Sequence, residues 1–376
     1  MVPLLALLLG MWGCDPETIK PDPPAGMTLF GGEKTESGYG LLETADGGLL
    51  MVGSSRSWSD EEDHDIYLAK TNSNGALEWE RTYPAILDNA GNRIIATQDG
   101  GYLIAGISGS TRNSVFTAYM LKLDAQFEQE WVISHANDAG GIGNVQSVSS
   151  VYQTADGGYF LELVYYGNLE VIKTDPQGNL TSRTNFNSWS YSQSRTQFLT
   201  ASQSGGFFLA TSDYNSDGSL YRFDGNGNQL YATNFIMPNQ NTPIQMVKEL
   251  GTNEILVVYG DFVRNNFFIM DSAGVYADTY ELPIAVVTDV VKLDGGNIAM
   301  VGALQNQNYG GFSDNVQIIK VSQSGNVQGT AVFDGEGSEK ANQILEKSDG
   351  RVAVIGHTDS YKGNGGTDLA LILTDF

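Results

Sequence analysis

The chain has 376 residues, 41% of them hydrophobic, which is ample for a large buried core. Its 44 acidic and 20 basic residues give a net charge of −24, which disfavours binding to nucleic-acid backbones and to anionic lipid through a basic patch. Glycine is plentiful at 45 residues and proline scarce at 10, the balance of a turn-rich fold and not of a low-complexity linker.

In chain order, Met1 to Gly13 form an apolar run too short to span a bilayer but of the length of an export-signal core. The small Gly13 directly before the only cysteine, Cys14, resembles a bacterial lipoprotein signal. That resemblance implies lipidation of Cys14 and anchoring at the cell envelope, with the outer membrane the expected site. An ordinary cleaved signal with an incidental cysteine is the alternative. Residues 14–26 hold four prolines and few apolar side chains, which reads as a stiff tether. The folded body is expected over 27–376, and no other segment is apolar enough to cross a membrane.

An isolated strand, Met27 to Gly32, opens this body. A repeat of roughly 50 residues follows. Its first mark is a tight turn, seen at Thr44-Ala45-Asp46-Gly47-Gly48, Gln98-Asp99-Gly100-Gly101, Ala155-Asp156-Gly157-Gly158, Ser204-Gly205-Gly206, Asp294-Gly295-Gly296 and Asp349-Gly350. Gly251-Thr252-Asn253 is a degenerate seventh copy. A second turn recurs as Thr174-Asp175-Pro176-Gln177-Gly178-Asn179 and Asp224-Gly225-Asn226-Gly227-Asn228, with a weaker copy at Asp124-Ala125-Gln126-Phe127. Short β-branched and aromatic runs between such turns predict four strands per unit. The last unit ends at Leu371-Ile372-Leu373-Thr374, its third strand, so the opening strand can complete it. This predicts an all-β fold: a seven-bladed β-propeller of four-stranded antiparallel blades, closed by the N-terminal strand. An open β-solenoid would not need complementary ends.

Thr-x-Asp-Gly-Gly and Lys-Thr-Asp-x-x-Gly-Asn repeats of this form resemble the propeller-type lipoproteins of Bacteroidetes-like bacteria. The resemblance covers 27–376 and implies a fold, not an activity.

Chemical motifs are sparse. The three histidines, His64, His135 and His357, fall in different repeats, and no zinc, nucleotide or serine-nucleophile signature is present. No cofactor is expected, with Ca²⁺ the one open possibility. The run holding Asp60, Asp63 and Asp65 could supply oxygens to such a cation or be solvated loop charge, and Asp213 with Asp217 poses the same choice.

Both tight turns of a blade fall at one end of the propeller, so the variable loops share the other end around the channel mouth. Those loops carry Trp58, Tyr214, Tyr309, His357 and Tyr361 with the acids above, a mixture suited to gripping a glycan or a protein partner. A non-catalytic binding module is therefore expected. A carbohydrate-active hydrolase or lyase using loop carboxylates, and a structural subunit of a surface assembly, are the alternatives. No nucleic-acid partner is expected, and membrane contact only through the N-terminal lipid.

Overall fold

The computed structural model describes residues 20–59, 63–84, 87–110, 115–135, 145–165, 168–186, 198–202, 206–212, 217–236, 244–260, 265–284, 286–306, 311–363 and 366–375. Its 28 strands form seven four-stranded antiparallel sheets, the blades of a β-propeller. Blade 1 runs outward from the channel as Glu36–Glu43, Leu49–Ser55, Asp65–Thr71 and Leu77–Tyr83. Blades 2 to 6 repeat the order over 88–135, 147–186, 198–236, 244–282 and 286–333. Blade 7 comprises Glu339–Glu346, Val352–Thr358 and Asp368–Thr374, and Met27–Phe30 supplies its outer strand. That strand lies antiparallel to the last one, with Met27 opposite Ile372 and Phe30 opposite Leu369. Residues just before it fold back along the same blade: Leu373 N donates to Gly26 O (2.8 Å) and Lys362 N to Pro21 O (2.7 Å).

Burial explains the strand composition. The second and third strands of a blade lie between neighbouring blades, and every residue of Leu49–Ser55 and Asp65–Thr71 is buried. The outer strand Leu77–Tyr83 is half-buried to exposed throughout. Each of the seven interfaces between consecutive blades has its own apolar cluster, including the closing interface, where Phe30, Leu369 and Leu371 meet Leu49, Met51 and Tyr67. The ring is thus closed by the same packing that builds it.

The recurring Lys and Asp of the two turns have a common cause. In blade 1, Lys70 Nζ reaches Asp46 (3.0 Å), Glu78 (3.0 Å) and Thr71 O (2.7 Å), tying both turns to the outer strand. Lys122 does the same with Asp99 and Glu130, each at 2.9 Å. Burial raises the Asp99 pKa, but donors from Thr97, Lys122 and Gly101 outweigh it and hold the carboxyl at about 2.

The degenerate turns follow the same geometry. Gly47 sits at φ 76°, and in the weaker copies Asn253 (φ 62°) and Phe127 (φ 64°) occupy the left-handed region instead. Asparagine tolerates that region. Phe127 is held there by its ring, 4.7 Å from Trp79 and stacked 4.8 Å from Tyr102.

Innermost strands present an open edge to the channel, and unpaired N–H groups there need acceptors. Among the described residues, six of these strands carry a β-bulge at one equivalent place, between Gly38 and Gly40, Gly91 and Arg93, Val148 and Ser150, Ile244 and Met246, Val287 and Asp289, and Ala341 and Gln343. The bulge turns polar side chains toward the next blade. Asn92 Oδ1 accepts from Val148 N (3.1 Å), Asp289 Oδ2 from Ile344 N (3.1 Å) and Gln343 Oε1 from Leu41 N (2.8 Å). The waist of the channel is therefore polar and clamped blade to blade.

Candidate functional site

The loop after the second strand of blade 1 is built around a buried carboxylate. Glu36 accepts from Ser55 Oγ (2.6 Å), Ser57 Oγ (2.5 Å) and Gly32 N (3.0 Å). Glycine at 31 and 32 is required by closeness: a Cβ on Gly31 would lie 2.1 Å from Glu36 Oε2, and one on Gly32 2.5 Å from Ser57 Cβ. Lys34 N donates to Ser57 Oγ (2.8 Å), so the segment leading into Trp58 is fixed at both ends.

Trp58 lies on Tyr67, ring centroids 5.3 Å apart and planes at 17°, yet stays 43% exposed. Beneath it the fully buried Tyr67 hydroxyl donates to Glu80 Oε2 (2.6 Å). Burial, reinforced by Glu80, pushes the phenol far above its ordinary range, so it stays a donor. Trp58, Tyr67, Glu80, Arg81 and Thr82 line a cavity of about 290 Å³ open to solvent. Arg81 pairs with Glu128 (3.0 Å), away from Glu80. The result is a shallow ledge with an aromatic plate, a carboxylate and a threonine, near the ring-closing interface.

Blade 7 repeats the device. Glu339 accepts from Gly335 N (3.0 Å) and Thr358 Oγ1 (3.0 Å), and Gly337 N donates to Ser360 Oγ (2.7 Å). Tyr361 occupies the slot of Trp58 but is only 6% exposed, inside the cluster between blades 6 and 7. The register supplies the reason. Asp65 and Asp368 begin equivalent strands, so the position of Tyr67 is taken by Ala370. A methyl group leaves the space that a phenol fills. Tyr361 therefore sinks into the core, whereas Trp58 is held up on Tyr67.

The other sequence candidates are scattered. Asp65 is buried at a strand start, Asp63 is half-buried, and His64 turns to Asp88, with Nδ1 3.1 Å from Oδ1. His135 is buried at the end of blade 2's outer strand. Asp217 opens the third strand of blade 4 opposite Ile236. Cys14, Asp60, Asp213, Tyr214 and Tyr309 lie outside the described residues. Among the described residues no three His, Cys, Asp or Glu side chains converge as metal ligands.

His357 stands opposite Lys340 on blade 7, its ring edge-on to Tyr39 at 6.2 Å. Burial first and Lys340 second pull its pKa down to about 4, so the imidazole is neutral at physiological pH. The channel-waist residues Tyr39, Asn92, Arg93, Lys248 and Asp289 were not among the sequence candidates. Each sits in a strand where a polar residue reads as ordinary alternation; in the structure Tyr39 and Asn92 are bulged residues, Arg93 and Asp289 directly follow a bulge, and Lys248 lies two residues beyond one.

No family model matches the chain, and no curated protein matches it significantly. Solved structures do. Virginiamycin B lyase from Staphylococcus aureus is 11% identical, with 93% of this chain and 98% of that chain covered and a TM-score of 0.54. The WD40 β-propeller domain of Doa1 is 13% identical, with 95% and 98% covered and a TM-score of 0.56. YCF48 from Cyanidioschyzon merolae is 10% identical, with 93% and 98% covered and a TM-score of 0.54. The likeness is one of fold. Proteins so different in name on one architecture leave function to the loops and the channel.

Proposed function

We propose that this protein is a non-catalytic binding propeller of the bacterial cell envelope, tethered through a lipid on Cys14, that presents its variable-loop end to a glycan. The observation that carries the reading is the Trp58 ledge. An indole supported on a second ring offers a rigid apolar plate of the kind that stacks against the C–H face of a sugar. Glu80, with one oxygen taken by Tyr67, keeps Oε1 to accept from sugar hydroxyls, and Thr82 adds a donor and an acceptor. A protein partner would want a broader apolar centre than this cavity of about 290 Å³.

The test is titration with neutral oligosaccharides, followed by calorimetry and tryptophan fluorescence. Saturable binding is expected that Trp58→Ala abolishes and Glu80→Gln weakens. Binding indifferent to Trp58→Ala would refute the ledge. Failure of every oligosaccharide, together with capture of a protein through the same end, would replace the glycan with a protein ligand.

A further inference from the structure

The channel wall across blades 7, 1 and 2 carries two cations, Lys340 and Arg93, in a chain whose net charge is −24. Lys340 and His357 face each other across the first two strands of blade 7, and His357 meets the edge of Tyr39. On the other side of Tyr39, Arg93 Nη1 donates to the carbonyls of Tyr39 (3.3 Å) and Asn92 (2.8 Å). These two bonds occupy one nitrogen. Nε and Nη2 have no acceptor among the described residues, and neither Arg93 nor Lys340 has a carboxylate within ion-pair distance among them.

Arg93 is half-buried in the wall. Desolvation there lowers its pKa, while Asp289 and Glu162 act on it from a distance in the opposite sense. Asp289 is not available as a partner. It accepts from Lys248 Nζ (3.1 Å), Val290 N (2.8 Å) and Ile344 N (3.1 Å). A guanidinium withdrawn from bulk water with its fork unfilled is a costly arrangement unless an anion completes it. A planar fork matches a carboxylate in two parallel bonds.

We propose that this wall is a binding site for a small organic monocarboxylate, received by the open edge of Arg93 with Lys340 at the channel mouth. A monoanion fits better than a phosphate dianion. One charge balances Arg93 at the waist, whereas a second would meet the fields of Asp289 and Glu162 there, with Lys340, out at the mouth, left as the one cation of the site to offset them. The site is separate from the Trp58 ledge, and neither depends on the other.

The experiment titrates the full chain with glucuronate, acetate, glucose and inorganic phosphate, using calorimetry and thermal shift. Glucuronate and acetate should bind at millimolar concentration or below, and glucose and phosphate should not bind at this site. Arg93→Gln should weaken carboxylate binding by more than about tenfold, and Arg93→Lys, which keeps charge but loses the fork, by about tenfold. Acetate, which offers no sugar face to the Trp58 ledge, decides whether carboxylate binding is at Arg93. Should Arg93→Gln fail to fold, the wild-type protein still decides the matter: glucuronate should slow acylation of Lys340, read by mass spectrometry, and leave Lys362 unaffected. Absence of carboxylate binding, equal binding by Arg93→Gln, or phosphate binding as tight as acetate would overturn the proposal.

Discussion

Glu36→Ala is the most direct test of how the Trp58 ledge is held. The carboxylate is fully buried and takes two hydroxyls and one backbone N–H, at 2.5 to 3.0 Å. Hydrogen bonds to a charged acceptor contribute about 1.5–3 kcal/mol each, and part of the loss is recovered as the hydroxyls rotate and water enters, which leaves roughly 3–5 kcal/mol. Glu36→Gln should cost less, about 1–2 kcal/mol, because a flipped amide can still accept from Gly32 N while donating to a serine oxygen. The twin variant Glu339→Ala in blade 7 supplies the control. It removes an equivalent carboxylate, 3% exposed, but no ledge depends on it. Urea denaturation should show both alanine variants destabilised by similar amounts. Acrylamide quenching of Trp58, isolated by difference against Trp58→Phe, should rise in Glu36→Ala alone. Stability of Glu36→Ala within about 1 kcal/mol of wild type would refute the argument that this carboxylate organises the loop. So would equal loosening of Trp58 by Glu339→Ala.

Tyr67→Ala places in blade 1 the residue that blade 7 has at Ala370, so Trp58 should drop inward, its emission should shift to the blue, and glycan binding should be lost. An unshifted emission would refute the support role of Tyr67. His357 is neutral in the fold, with its pKa at about 4 against an ordinary 6.5, so the unfolded chain binds the extra proton between those values. Stability should therefore fall as pH drops from 6.5 toward 4 and level off below, by roughly 3 kcal/mol at most, and His357→Gln should remove that component; an unchanged pH profile in the variant would count against it. Cys14→Ser should abolish fatty-acid labelling and move the protein from the detergent to the aqueous phase, and unchanged partitioning would remove the lipid anchor from the proposed function.

What could be read from the chain, and what could not, divides along the physics of neighbours. The turns were legible because their demands are local: a left-handed residue such as Gly47, and an Asp that accepts from residues within a few positions of it. Ring closure was legible because an unpaired first strand and an unfinished last unit complement each other, as Met27 and Ile372 do. The waist of the channel was hidden for the opposite reason. Asn92 bonds to Val148 and Asp289 to Ile344, partners in the next blade that no local pattern links to them. Trp58 and Tyr361 show the same limit at a single slot. Both follow a Ser/Thr-x-Ser turn held by a buried glutamate, and from the motif alone they are equivalent. Which of the two meets solvent is decided by Tyr67 or Ala370, a residue known to lie beneath only once the strands are in register. A repeat thus specifies its scaffold through what every copy shares, while any site must arise where one copy breaks the pattern. In this ring those breaks are an aromatic supported where its twin is buried and an arginine whose fork is left open at the waist.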